Sequence, residues 1–163
     1  MRVVVVSDTH VRDRGSTVLP ERALDELERA DVILHAGDVV EAGLLDRLRT
    51  LAPVHAVLGN NDAALRGVLP ERAELTLEGV RIGMVHDSGP RAGREARVRR
   101  LFPEADLVVF GHSHIPWNAA GLDGQWLFNP GSATQRRSQP NRTLGVLDLE
   151  AGAVRRREIV VVD

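Results

Sequence analysis

The chain has 163 residues, 43% of them apolar, and a net charge of −2. That length suits about one domain with a core of its own, and so slight a charge directs it to neither nucleic acid nor an anionic membrane surface. It contains no cysteine, which excludes disulfides, thiolate zinc sites and cysteine nucleophiles and leaves oxygen and imidazole to hold any metal.

A single domain over residues 1–163 is expected. Arg2 to Ser7 is a β-branched run, the pattern of a strand buried on both faces. Its apolar part, Val3 to Val6, is too short for a signal peptide or a membrane span, so a cytoplasmic location and no membrane partner are expected. Pro20 opens a helix through Ala30, with Leu24 and Leu27 inward and Glu21, Glu26 and Glu28 exposed. Asp31 to Ala36 is a second buried strand. Glu41 to Thr50 is a helix with Leu44, Leu45 and Leu48 inward, and Val54 to Leu58 is a third strand. The order βαβαβ calls for parallel strands with right-handed crossovers.

The pattern then changes. Ala73 to Glu78 and Val80 to Val85 read as a hairpin about Gly79. Arg91 to Phe102 is a helix with arginines on its outer face, and Asp106 to Phe110 is a buried strand. Trp117 to Asn129 is a hairpin about Asp123-Gly124, Asn129 to Asn141 a polar loop, and Arg142 to Asp148 with Val154 to Val162 a last hairpin. Roughly ten strands are too many for one small doubly wound sheet, so two stacked sheets with helices outside are expected. All 21 basic residues are arginine. The clusters at Arg97, Arg99 and Arg100 and at Arg155 to Arg157 read as solvated faces, because aromatic residues, 3% of the chain, are not interleaved with them.

Polar punctuation falls in one kind of place. Ser7-Asp8-Thr9-His10, Gly37-Asp38, Gly59-Asn60-Asn61-Asp62, His86-Asp87 and Gly111-His112-Ser113-His114 each follow a buried strand. In open α/β sheets the carboxyl ends of strands converge on one edge, where ligands bind. The glycines before Asp38, Asn60 and His112 permit sharp turns and close backbone approach. Asp8, His10, Asp38, Asn60, His86, His112 and His114 offer two carboxylates, four imidazoles and one amide oxygen. That mixture suits Mn, Fe, Zn, Ni or Co rather than Ca. Seven donors exceed one tetrahedral ion and fit two ions about 3.5–4 Å apart with a bridging carboxylate. The spacing Asp8-x-His10 and His112-x-His114 is no helical clamp; each pair needs an extended segment or tight loop that turns both side chains to one side.

DxH, GD, GNxD, a lone His and GHxH in that order resemble the calcineurin-like metallophosphoesterases. Phe110-Gly111-His112-Ser113-His114 followed by Asn129-Pro130-Gly131-Ser132 is similar to their small prokaryotic YfcE-type phosphodiesterase branch. The resemblance implies an α/β four-layer αββα sandwich of two stacked mixed sheets flanked by helices. It implies one metal on Asp8, His10 and His114, a second on Asn60, His86 and His112, and Asp38 as the bridge. It implies two divalent ions, Mn2+ foremost with Ni2+, Fe2+, Co2+ and Zn2+ as alternatives, and in-line attack on phosphorus by a hydroxide between them. Asp38, Asn60 and His86 are then the catalytic residues, and the substrate is a small aryl or nucleotide phosphodiester. The alternative is a catalytically weak or inactive scaffold on the same fold, as in the retromer subunit of this superfamily.

Two positions depart from the family. Asn61 stands where many relatives carry a histidine that protonates the leaving group, so good leaving groups should be preferred. Asp87 stands where relatives often carry glycine, either orienting an imidazole or facing solvent. Asn61, Arg12 and Arg136 are the candidate substrate contacts, among loop arginines that include Arg14 and Arg137. His35 is expected in the core or behind a ligand, His55 as structural, and Asp62 as a brace of its loop. Trp117 and Trp126 serve either as core or as anchors of a homo-oligomer. Without a basic stripe, a nucleic-acid polymer is disfavoured as substrate.

Overall fold

The computed structural model describes residues 1–163. Three consecutive strands, β1 (Arg2–Val6), β2 (Val32–His35) and β3 (Val54–Ala56), pair in parallel, as the βαβαβ order demands. The crossovers carry α1 (Glu21–Glu28) and α2 (Ala42–Arg49). The next strands, β4 (Arg72–Leu77) and β5 (Val80–Val85), form a hairpin. α3 (Arg94–Leu101), β6 (Leu107–Val109), the hairpin β7 (Trp117–Ala120) with β8 (Trp126–Asn129), and the hairpin β9 (Thr143–Glu150) with β10 (Ala153–Val161) complete the chain. One sheet runs β10-β9-β1-β2-β3 and the other β4-β5-β6-β8-β7; both are mixed.

Alternation along β1 assigns the layers. Val4 and Val6 pack with Ala23 and Leu27 of α1 and with Leu44, Leu45 and Leu48 of α2. Val3 and Val5 face the other way, into a core shared with Ile82 and Met84 of β5, Leu107 and Val109 of β6, and Phe128 of β8. The far face of the second sheet, through Val108 and Leu127, packs on Val98 of α3 and on Phe102 just past its end. The result is the expected αββα sandwich. Each fully buried Val, Leu or Phe contributes about 1.5–3 kcal/mol, so the two-sided burial of β1 explains its unbroken run of valines. The hairpins turn on Glu78-Gly79, Asp123-Gly124 and Ala151-Gly152, each left-handed at both residues. That is the turn geometry matching the twist of paired strands. No helix is long and apolar enough to cross a membrane.

Some local expectations change. Leu24 is 40% exposed, and Ala23 takes its place beside Leu27. Glu26 is not free but pairs with Arg2. His55 is exposed on the edge strand β3 rather than structural. α3 begins at Arg94, which is buried with its guanidinium over the rings of Phe110 and Trp117, and Arg97, bonded to the carbonyl of Ser88, and Arg99, paired with Asp123, are half-buried rather than solvated. Trp126 is likewise covered by Arg157, so both tryptophans are half-buried and partnered by cations. A 3-10 turn at Ala63–Leu65 was not legible, because one turn carries no hydrophobic period; buried Leu65 anchors it.

Candidate metal centre

Five of the seven chemistry-bearing residues lie at positive φ: Asp8 (53°), His10 (48°), Asp38 (58°), His112 (69°) and His114 (59°). For an L-residue this conformation costs about 1–2 kcal/mol, and such outliers gather at functional sites. It also answers the spacing problem. Left-handed residues at 8 and 10, and again at 112 and 114, place each pair in a tight loop just past its strand, from which both side chains turn into the site. Glycines make the close approach possible. At Gly37, φ +91°, a Cβ would fall 2.6 Å from Nδ1 of His86, and at Gly59 it would fall 2.1 Å from the backbone nitrogen of Asp38.

The side chains form two sets. Nε2 of His10 and Nε2 of His114 lie 3.4 Å apart with the rings stacked, and Nε2 of His114 is 3.4 Å from Oδ1 of Asp8. In the second set, Oδ1 of Asn60 is 3.0 Å from Nε2 of His86 and 3.0 Å from Nδ1 of His112. Asp38 reaches both: Oδ2 lies 3.5 Å from His10 and Oδ1 lies 3.5 Å from His86. All seven residues sequence reading singled out are thus brought to one edge.

Backbone carbonyls fix two of the rings. Nδ1 of His86 donates to the carbonyl of Ala36 (2.7 Å), and Nδ1 of His114 to that of Gln135 (2.6 Å). A carbonyl only accepts, so Nδ1 carries the hydrogen and a neutral ring aims the Nε2 lone pair into the site. Those lone pairs meet carboxylate and amide oxygens, which also only accept. Oδ1 of Asp8 is fully buried and has no hydrogen-bond partner. Acceptors converging on acceptors, with an orphaned buried carboxylate oxygen among them, are satisfied by cations. The groups Asp8–His10–His114 and Asp8–Asp38–His86 each hold donor atoms within 4.8 Å of one another. The residues fit divalent ions.

The same field governs protonation. Burial opposes the charge on Asp38, but hydrogen bonds with the His86 side chain and from both the backbone and side chain of Asn61 outweigh it and hold the carboxyl well below the usual range. Burial also opposes a proton on His86, yet Asp38, Asp8 and the Ala36 carbonyl prevail and raise its pKa, so a proton on this ring competes with a cation for the same acceptors. His10 is lowered by burial in spite of Asp38 and Asp8. His35, fully buried and bonded at Nε2 to the hydroxyl of Thr9 (3.0 Å), is lowered by burial and by His86 to about 3 and stays neutral. It stands behind the Asp8–His10 segment, as expected.

Asp62 braces its loop thoroughly. Buried, it accepts the N–H groups of Asp38 (3.0 Å), Gly59 (2.7 Å) and Val40 (2.6 Å). Asn61 is exposed, and its N–H and Nδ2 grip the two oxygens of Asp38. Asp87 accepts the N–H of Gly89 and lies 4.0 Å from Nε2 of His112. Arg12 turns to Glu41 (3.8 Å), and Arg136 donates to the carbonyl of Pro140 (3.0 Å). Sequence reading missed the hydroxyls that fasten the first loop. Ser7 donates to Oδ2 of Asp8 (2.7 Å), Ser132 to the carbonyl of Asp8 (2.8 Å), and Thr134 to that of Thr9 (2.6 Å). The phrase Asn129-Pro130-Gly131-Ser132 was their signal.

Layered sheets with carboxylates and imidazoles gathered at one edge define a metal-binding α/β protein. The model of the calcineurin-like phosphoesterase superfamily domain matches residues 1–152, and the chain belongs to that family of metal-dependent phosphoesterases. A probable metallophosphoesterase of Methanothermobacter thermautotrophicus is 37% identical over 139 residues, 84% of this chain and 80% of its own. Another, of Methanocaldococcus jannaschii, is 37% identical over 154 residues, 92% of this chain and 77% of its own. Among solved structures, Vps29 from Entamoeba histolytica complexed with Zn2+ superposes with a TM-score of 0.77 at 28% identity over the whole of both chains. A Thermotoga maritima protein solved by NMR gives 0.74 at 31%, covering 98% of each chain.

Proposed function

We propose that the chain is a two-metal phosphoesterase that hydrolyses small phosphodiesters. In this reading Asp8, His10 and His114 hold one divalent ion, Asn60, His86 and His112 hold the other, and Asp38 joins them. The observation that carries it is the pair of imidazole clusters on either side of Asp38, which presents one oxygen to each. Mn2+ is the first choice of ion, with Ni2+, Fe2+, Co2+ and Zn2+ compatible with the same donors. Two such ions, when bound, lower the pKa of water and neutralise charge on the attacking and leaving oxygens of an in-line displacement.

The protein's own part is preorganisation. Ala36 and Gln135 lock the tautomers of His86 and His114, and Asn61 fixes the rotamer of Asp38. A groove of about 570 Å³ opens beside Asn60 and His86, between Leu58, Arg66, Leu69, Val85 and Asp87. That size suits a small ester rather than a polymer. A primary amide carries no titratable proton, so Asn61 cannot protonate a leaving group, which favours esters whose leaving groups need no acid.

The likeness to Vps29 favours a second reading, a non-catalytic scaffold. Stripped protein reloaded with Mn, Ni, Co, Zn or Mg, and assayed on an aryl phosphodiester, an aryl monoester and cyclic nucleotides, separates the two. Turnover of the diester with at least one metal is expected; no turnover in any combination would leave the scaffold.

A further inference from the structure

We infer that the groove beside Asn60 and His86 seats a hydroxyl-bearing ester group, and that Arg66 and Glu71 are the side chains that select it. This rests on the phosphoesterase reading and names the substrate class that the same site accepts.

The segment between β3 and β4 builds the groove. Near its start, buried Asp62 pins it through the N–H groups of Asp38, Val40 and Gly59. Buried Leu65 anchors the 3-10 turn, and its carbonyl accepts the N–H groups of Val68 and Leu69, each at 3.0 Å. Arg66 forms a backbone bridge with Leu69 across Gly67 (φ 78°), and the N–H of Leu58 donates to the carbonyl of Pro70 (2.8 Å). Arg66 and Glu71 are therefore carried on a backbone fastened at both ends, beside the residues that follow β3 into the site.

The lining defines what fits. Leu58, Leu69 and Val85 give half-buried apolar walls, and Asn60 and His86 join the groove to the metal-type cluster. Arg66 is the one arginine that lines it, and Glu71 and Asp87 are its carboxylates. Asp87 is held at the cluster end by the N–H of Gly89 (2.7 Å) and lies 4.0 Å from Nε2 of His112. Arg66 and Glu71 are exposed, and neither side chain makes an ion pair or a hydrogen bond within the chain. One guanidinium set against two carboxylates offers no net attraction to a second anion. A hydroxyl meets both kinds of group: it gives its hydrogen to a carboxylate and accepts one from a guanidinium, which an aryl or alkyl group does not. An acidic side chain reads ribose hydroxyls in the same way in dinucleotide-binding folds. At about 570 Å³ the groove has room for a sugar beyond the phosphoryl group.

The test titrates whole, metal-loaded protein with methyl phosphate, glycerol 3-phosphate and ribose 5-phosphate, followed by calorimetry. The parent should bind ribose 5-phosphate about tenfold or more tightly than methyl phosphate, the effect of a hydrogen bond to a charged group. Arg66→Ala and Glu71→Ala should each lose most of that advantage, while keeping their metal and binding methyl phosphate as the parent does. Both residues are exposed, so neither substitution threatens the fold. Glycerol 3-phosphate separates two sources of hydroxyls: an equal advantage assigns a simple polyol, and an advantage confined to ribose 5-phosphate assigns a sugar-sized group. Equal binding of methyl and ribose phosphates by the parent would overturn the inference. So would an Arg66→Ala variant that loses methyl phosphate as strongly as ribose 5-phosphate, since Arg66 would then hold the phosphate itself. Ligand binding decides the preference of the groove even if no ester is turned over, whereas absence of turnover in the parent protein sinks the phosphoesterase reading alone.

Discussion

Asn61 holds Asp38 by both oxygens: its backbone N–H donates to Oδ1 at 2.8 Å and its side-chain Nδ2 to Oδ2 at 2.7 Å. Both of its donors are thus spent on orienting a carboxylate. Asn61→Ala should lower metal affinity about ten- to hundredfold, the usual effect of removing a group that orients a ligand. Equilibrium dialysis of the variant checks this. Asn61→His should lower the overall rate but raise the ratio of alkyl to aryl ester hydrolysis, because it trades the clamp for an acid. An unchanged ratio would show that leaving-group protonation does not limit the reaction.

Asp38→Asn is isosteric but removes the charge between the two histidine sets. Turnover should vanish and metal content should fall at both positions, measured by elemental analysis after gel filtration. Two metals retained at full rate would refute a bridging role.

Asp62 satisfies three buried backbone donors. Asp62→Ala leaves them unpaired at a cost of about 1–3 kcal/mol each, so metal-free protein should lose on the order of 3 kcal/mol or more in urea unfolding. A loss below about 1 kcal/mol would mean that water replaces the carboxylate there.

His35 has a pKa of about 3 in the folded chain against an ordinary value of 6.5. Below pH 6.5 the unfolded chain takes up a proton that the folded chain refuses, so stability is full above that value and falls as pH drops toward 3. The contribution is about 1.4 kcal/mol per pH unit within that window. Urea titrations of metal-free protein at pH 7, 6 and 5 should show the slope, and His35→Asn should reduce it by that amount. Equal slopes would place the acid sensitivity elsewhere.

Much of the architecture was legible because it rests on local periodicity. The valines of β1, the leucines of α2 and the Xaa-Gly hairpin turns each write their structure in a few adjacent residues. Where a partner distant in sequence intervened, reading failed. Leu24 fits the helical stripe, but Ala23 is the residue against the sheet. Arg94 reads as surface until Phe110 and Trp117 close over it.

The sequence alone determined that each candidate donor follows a strand, and strands that run parallel within a sheet, β1 to β3 in one and β5 with β6 in the other, end on the same side. It also determined the glycines beside them, because only a residue without Cβ leaves room for a neighbouring loop. Tertiary structure decided how the donors divide about Asp38 and that Asn61 serves Asp38. Those outcomes depend on segments far apart in the chain, such as Asp8 against Ser132, Thr134 and His114. Their distances are fixed by the stacking of two sheets through a shared core, and no local pattern of residues encodes that stacking.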